Sequence, residues 1–168
     1  SLSVTDSSGS VTSRVAKLEI DPTFTKITNG RIVTDRSSFI SAAWGDFDGD
    51  GYLDLAVAAN QFAPTPFQAV HLYRNNGPGP NGFTFTKVIT GPIATTLVNG
   101  AGLAWGDYDN DGRLDLIVAD YGTRNVLFRN AGNGTFVKTT NAPFASERSL
   151  GDNPAWADYN QDGYLDLF

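Results

Sequence analysis

The hydrophobic positions of this chain fall in short runs broken by Gly, Asn, Asp and Pro, and the order of the runs recurs. A small-and-aromatic segment comes first: Ser41-Ala42-Ala43-Trp44, Gly102-Leu103-Ala104-Trp105 and Pro154-Ala155-Trp156. An apolar run follows: Leu53-Asp54-Leu55-Ala56-Val57-Ala58, Leu114-Asp115-Leu116-Ile117-Val118-Ala119 and the shorter Leu165-Asp166-Leu167-Phe168. A third run, Val70-His71-Leu72-Tyr73-Arg74-Asn75, matches Asn125-Val126-Leu127-Phe128-Arg129-Asn130. A fourth, Phe83-Thr84-Phe85-Thr86-Lys87-Val88, matches Gly134-Thr135-Phe136-Val137-Lys138-Thr139. Short runs rich in β-branched and aromatic residues between turn formers predict strands. No stretch carries a helical period. Each unit therefore reads as four strands.

The spacing supports the repeat. Phe24 to Asp46, Phe85 to Asp107 and Phe136 to Asp158 are each 22 residues apart. Residues 22–28 thus read as an outer strand ahead of the first full unit. Asp46 to Phe85 spans 39 residues and Asp107 to Phe136 only 29, the excess falling in loops around 60–68 and 77–81. Repeats diversify in their loops. Four-stranded antiparallel units repeated about an axis make the blades of a β-propeller. The predicted fold is all-β: a partial β-propeller of four-stranded antiparallel blades.

The second strand is apolar on both faces, Leu55 and Val57 against Ala56 and Ala58, which suits a sheet between neighbouring blades. The alanines of the first strand suit crowding near the axis. Lys26, Lys87 and Lys138 read as charges that protect an outer edge. The predicted organisation is an outer strand 22–28, blades 38–90 and 101–141, and a half blade 153–168, together an incomplete propeller over 21–168. Closure needs about four to eight blades. The chain is therefore expected to be a fragment whose exposed blade faces associate. It starts at Ser1 and holds no Met, which fits a piece of a longer precursor with any signal lying upstream.

Between the first and second strands lies a nine-residue acidic loop, present three times and reading D-x-[DN]-x-D-G-x-x-D. The copies run from Asp46 to Asp54, Asp107 to Asp115 and Asp158 to Asp166. Oxygens at the first, third and fifth positions are what a hard cation needs. Calcium takes about six to eight oxygens in flexible geometry, whereas magnesium demands tighter octahedral packing. The predicted side-chain ligands are Asp46, Asp48, Asp50 and Asp54; Asp107, Asp109, Asp111 and Asp115; and Asp158, Asn160, Asp162 and Asp166. Gly51, Gly112 and Gly163 permit the sharp turn at the sixth position. Tyr52, Arg113 and Tyr164 at the seventh are expected to offer main-chain carbonyls, leaving their side chains free to vary. An EF-hand would close with Glu at its twelfth position; here Val57 and Val118 stand there.

Charge agrees with this reading. The loops hold eleven of the 18 acidic residues, and the formal net charge is −6. Up to three Ca²⁺ ions would bring the sum to zero. Without them the carboxylates of one small turn repel. Zinc does not fit a chain with no Cys and a single His. No basic patch supports nucleic-acid binding, and no apolar run is long enough to span a membrane.

These loops and their flanking strands resemble the FG-GAP/VCBS repeat family, which includes the propeller of integrin α subunits. The matching stretches are Trp44-Gly45-Asp46 to Ala58, Trp105-Gly106-Asp107 to Ala119 and Trp156-Ala157-Asp158 to Phe168. The resemblance implies hairpin-bound calcium and a propeller of about seven blades, of which some two and a half are here. Asn160 departs from it as a neutral third ligand that should weaken the third site. Ala157 departs from it where the other copies carry Gly45 and Gly106. Residues 1–20 fall outside the repeat. They resemble the end of a bacterial Ig-like domain, with a polar linker strand as the alternative.

The resemblance implies a secreted or cell-surface, calcium-binding adhesion module that recognises protein or glycan. One alternative is part of a secreted polysaccharide-degrading enzyme. Another is an architectural spacer in a multidomain surface protein. Catalysis within this stretch is not expected: His71 sits mid-strand, Glu19 and Glu147 form no evident pair, and most Asp residues belong to the loops. Trp44, Trp105 and Trp156 recur, so they read as blade core. Arg74 and Arg129 recur and read as structural partners of carbonyls or carboxylates. Tyr121–Arg124 and residues 64–67 do not recur and are the candidate ligand-contact loops.

Overall fold

The computed structural model describes residues 3–6, 9–12, 26–59, 68–80, 82–121, 124–140 and 153–168. Strands β1 (Ser3–Asp6) and β2 (Gly9–Thr12) form an antiparallel hairpin. The helical turn α1 (Arg31–Thr34) leads into β3 (Phe39–Gly45), β4 (Asp54–Ala59), β5 (His71–Gly79) and β6 (Gly82–Lys87). The turn α2 (Pro92–Thr95) leads into β7 (Gly100–Gly106), β8 (Asp115–Asp120), β9 (Val126–Gly132) and β10 (Thr135–Thr139). Strands β11 (Trp156–Ala157) and β12 (Asp166–Leu167) follow. Each sheet runs in sequence order, β3-β4-β5-β6 and β7-β8-β9-β10, with β11-β12 as a two-stranded start. All pairings are antiparallel. These are the four-stranded antiparallel sheets of a partial β-propeller, and they do not close into a ring.

Two expectations need amendment, and others fall outside the described residues. The two helical turns escape a periodicity reading because each is four residues long, one turn. The expected outer strand 22–28 lies mostly outside the described residues, as do loop residues 64–67. Lys87 is not an outward guard. Its side chain is only 18% exposed, and its Nζ contacts Asp35 Oδ2 at 2.6 Å. Lys26 and Lys138 are exposed, as an edge charge should be.

The core lies between the blades. Ala56, Ala58, Val70 and Leu72 of the first sheet meet Leu103, Leu116, Val118, Val126 and Phe128 of the second. Every residue of β8 is buried, because this sheet has neighbours on both faces. Inner strands β3, β7 and β11 pack side by side. Glycine makes that approach possible. A Cβ on Gly45 would lie 2.7 Å from the Trp105 ring, and one on Gly106 would lie 2.6 Å from Trp156. Trp105 and Trp156 thus each rest on the Gly of the blade before. Trp105 also donates from Nε1 to Ala43 O at 3.2 Å. Its ring stacks on Phe47, and both pack against Phe136. Trp44 departs from the expected core role: it is 54% exposed on the open face of the first blade.

Candidate metal loops

Each acidic loop joins the first two strands of a blade, with Gly45 paired to Asp54 and Gly106 to Asp115 at its mouth. The three loops share one backbone conformation. The sixth residue is left-handed in all of them: Gly51 at φ 87°, Gly112 at 83° and Gly163 at 89°. So is the fourth: Gly49 at 74°, Asn110 at 56° and Gln161 at 60°. The sequence reading accounted only for the sixth. Asn tolerates this region through its short polar side chain; Gln161 has no such excuse.

The first-position carboxylate organises the turn. Asp46 Oδ1 accepts from the N–H of Gly49 and Asp50 at 2.8 and 3.1 Å, and Oδ2 from Gly51 at 2.9 Å. Asp107 and Asp158 likewise accept from the fifth- and sixth-residue N–H groups of their loops. The fifth-position carboxylates Asp50, Asp111 and Asp162 each accept from the N–H of the seventh residue. Converging amides hold the carboxylates inward without any ion.

The ninth-position Asp ties strands together. Asp54 is fully buried and ties two elements together, accepting from Phe47 N–H at 3.0 Å and Asn75 N–H at 2.7 Å. Asp115 does the same for Tyr108 and Asn130. Burial raises both carboxyls from 3.8 to about 6, with neighbouring loop carboxylates pushing the same way and the two amide hydrogen bonds opposing. In the third loop Asp166 accepts from Tyr159 N–H.

Sequence reasoning missed Asn75 and Asn130. Their side chains donate to Leu53 O and Leu114 O, and Asn130 also donates to Phe47 O of the preceding blade at 2.7 Å. The signal was the recurring Arg-Asn pair. Arg74 does partner carboxylates, binding Asp48 and, at 3.2 Å, Asp50. Arg129 binds Asp109 at 2.5 Å and Asp111 at 3.0 Å. Arg113 departs from the freely varying side chain expected at its position. Its guanidinium pairs with Asp111 and donates to Asn130 O. Tyr52 covers Gly77, and Tyr164 is exposed.

Carboxylate oxygens within 4.8 Å of one another come from Asp46, Asp48 and Asp50 in the first loop and from Asp107, Asp109 and Asp115 in the second. Asp54 and Asp111 fall outside these groups, the latter held by two guanidiniums. Asp109 Oδ1 is buried with no hydrogen-bond partner. A buried, orphaned carboxylate oxygen at a predicted ligand position fits a hard cation.

The blade architecture and the loops agree with the family comparison. Residues 60–118 and 107–168 match the FG-GAP-like repeat, and residues 39–73 match the FG-GAP repeat. The chain belongs to the FG-GAP repeat family. The overlapping matches cover both full blades and the half blade of this FG-GAP chain. No curated protein matches it. None of its helices is long and apolar enough to cross a membrane, among the described residues.

Proposed function

We propose that this chain is part of a calcium-stapled propeller that serves outside the cell as a binding or adhesion module. The observation that carries the reading is the orphaned Asp109 oxygen within a loop conformation repeated three times. Calcium would be held by the first-, third-, fifth- and ninth-position side chains and the seventh-position carbonyl of each loop. It would release Arg74, Arg113 and Arg129 from part of their present pairing. Asn160 makes the third site the weakest. The open blade faces fit the remaining blades of the same propeller, and the β1–β2 hairpin reads as the end of an Ig-like neighbour. The likeness to VCBS repeats and integrin α propellers belongs to this proposal.

Extracellular calcium modules bind with Kd on the order of 10⁻⁴–10⁻³ M. At ten times Kd one site adds about 1.4 kcal/mol by mass action. Calorimetric melts in calcium, in magnesium and in EDTA test the reading. Calcium is expected to raise Tm saturably and more than equimolar magnesium. A Tm indifferent to calcium overturns it.

A further inference from the structure

The polar chemistry that does not repeat lies at the other end of the first blade. His71 pairs with Val57, far along the sheet from the Gly45–Asp54 loop mouth. Beside it Asp35 Oδ2 accepts from Tyr73 Oη at 2.8 Å and contacts Lys87 Nζ at 2.6 Å. Lys87 also reaches His71 Nδ1 at 3.0 Å. An ammonium has only donors. The neutral His71 ring therefore accepts at Nδ1 and keeps Nε2–H as a donor. Burial, with the Lys87 charge adding to it, depresses the His71 pKa and outweighs the opposing pull of Asp35, whose Oδ2 lies 3.5 Å from Nδ1.

In the second blade the equivalent positions are Thr96 for Asp35, Leu97 for Arg36, Val126 for His71 and Phe128 for Tyr73. Four polar positions of one blade are thus apolar or uncharged in the next. Val126 and Phe128 are buried in the core between the blades, whereas His71 lies beside Phe39 at 5.1 Å, on the open side of the first blade.

A cavity of about 600 Å³ opens beside this cluster. Its polar lining is Arg36, Gln68, His71 and Lys87, and the rest is apolar, including Val88 and Ile89. Gln68 is fixed in three ways. Its main chain exchanges two hydrogen bonds with Val98, at 3.1 and 3.0 Å, and its Oε1 accepts from Ser37 Oγ at 2.8 Å. Its amide nitrogen donates to no described residue. Arg36 makes no ion pair among the described residues. Among the described residues no carboxylate lines the cavity, and the nearby Asp35 is shared by Lys87, Tyr73, Arg31 and, at 3.5 Å, His71. Among the described residues the lining side chains offer donors on Arg36, Gln68, His71 and Lys87 and one acceptor, Gln68 Oε1, engaged by Ser37; Lys87 is paired with Asp35, which leaves Arg36 as the cation without an ion pair. Apolar walls with a few placed polar groups are the usual form of a small-molecule site.

We infer that this cavity binds a small organic monocarboxylate: the carboxylate on Arg36, Gln68 and His71, an apolar body on Val88 and Ile89. A cation is disfavoured for want of acceptors. A phosphomonoester carries more charge than one unpaired guanidinium balances. The site is separate from the metal loops.

His71 is the only histidine in the chain, so its ring C–H signals in a proton spectrum need no assignment. The full chain at fixed calcium is titrated with hexanoate and, separately, with hexanamide. Hexanoate is expected to shift the His71 signals saturably, and hexanamide at least about tenfold more weakly, since a charge-assisted contact is lost. R36L installs the residue that the second blade carries, at an exposed position with no ion pair among the described residues, and should weaken hexanoate by a similar factor. Unmoved His71 signals, equal response to hexanamide, or full affinity in R36L overturns the site. A shift confined to the exposed Trp44 indole overturns it too, by placing the probe on the open blade face. The metal reading fails or stands on the melts alone.

Discussion

At the scale of single residues, the loops separate two reasons for glycine. Gly112 sits at φ 83° with nothing within 4 Å of a would-be Cβ. Gly112→Ala should cost about 1–2 kcal/mol from backbone strain alone, measured by urea unfolding. Gly45 has no unusual φ but lies under the Trp105 ring. Gly45→Ala should destabilise by overpacking, by about 1–3 kcal/mol. The sixth-position glycines were legible because their loop has a spacing. Gly45 was visible only as a recurring neighbour of Trp, since its constraint comes from a ring 60 positions downstream. Titration separates residues as well. Asp54 and Asp115 are raised to about 6, so in the metal-free chain their stabilising contribution is full below about pH 4 and is lost as pH rises through 6. Calcium held by them as proposed would need them ionised, and protons would compete with it. The Tm difference between calcium and EDTA should therefore widen from pH 5 to pH 7. A difference that stays flat over that range would count against Asp54 and Asp115 as ligands.

Between elements, the first blade is tied to its leading turn by Asp35. Burial by itself would raise this carboxyl. Hydrogen bonds from Lys87 and Tyr73, with the Lys87 charge, outweigh burial and lower it from 3.8 to about 2. Its contribution is thus present above about pH 4 and is lost as pH falls toward 2, a window well below that of the loop carboxylates. Asp35→Asn should lower stability by about 1–3 kcal/mol at pH 7, the range for losing a hydrogen bond to a charged group. The gap from wild type should close on acidification to pH 2. Melts of both proteins across that range check it. None of this was readable from the Lys87 repeat position. The Lys of the fourth strand looks alike in each unit, and only the partner 52 residues away makes Lys87 different. The strands were legible to within about two residues at most ends, because alternation and turn formers act locally; β5 runs on to Gly79, four residues past its expected end at Asn75.

For the whole molecule, the open face of the first blade is the main consequence. Trp44, Ile40 and Phe39 are 54%, 46% and 40% exposed there. Their counterparts at the β7 face are covered by the first blade. Such a patch promotes association. The isolated chain should self-associate in sedimentation velocity, and Trp44→Ser should shift it toward monomer without loss of β-sheet signal. The sequence alone determined the repeat, the strand order and the position of every acidic loop. Those follow from periodicity and spacing, which are local and recur. Only the tertiary structure decided which carboxylates converge, which guanidiniums neutralise them, that Trp44 lies exposed while Trp105 is packed, and that Asp35, His71, Tyr73 and Lys87 meet beside a cavity. Those depend on distances between residues far apart in the chain, and no local pattern encodes them.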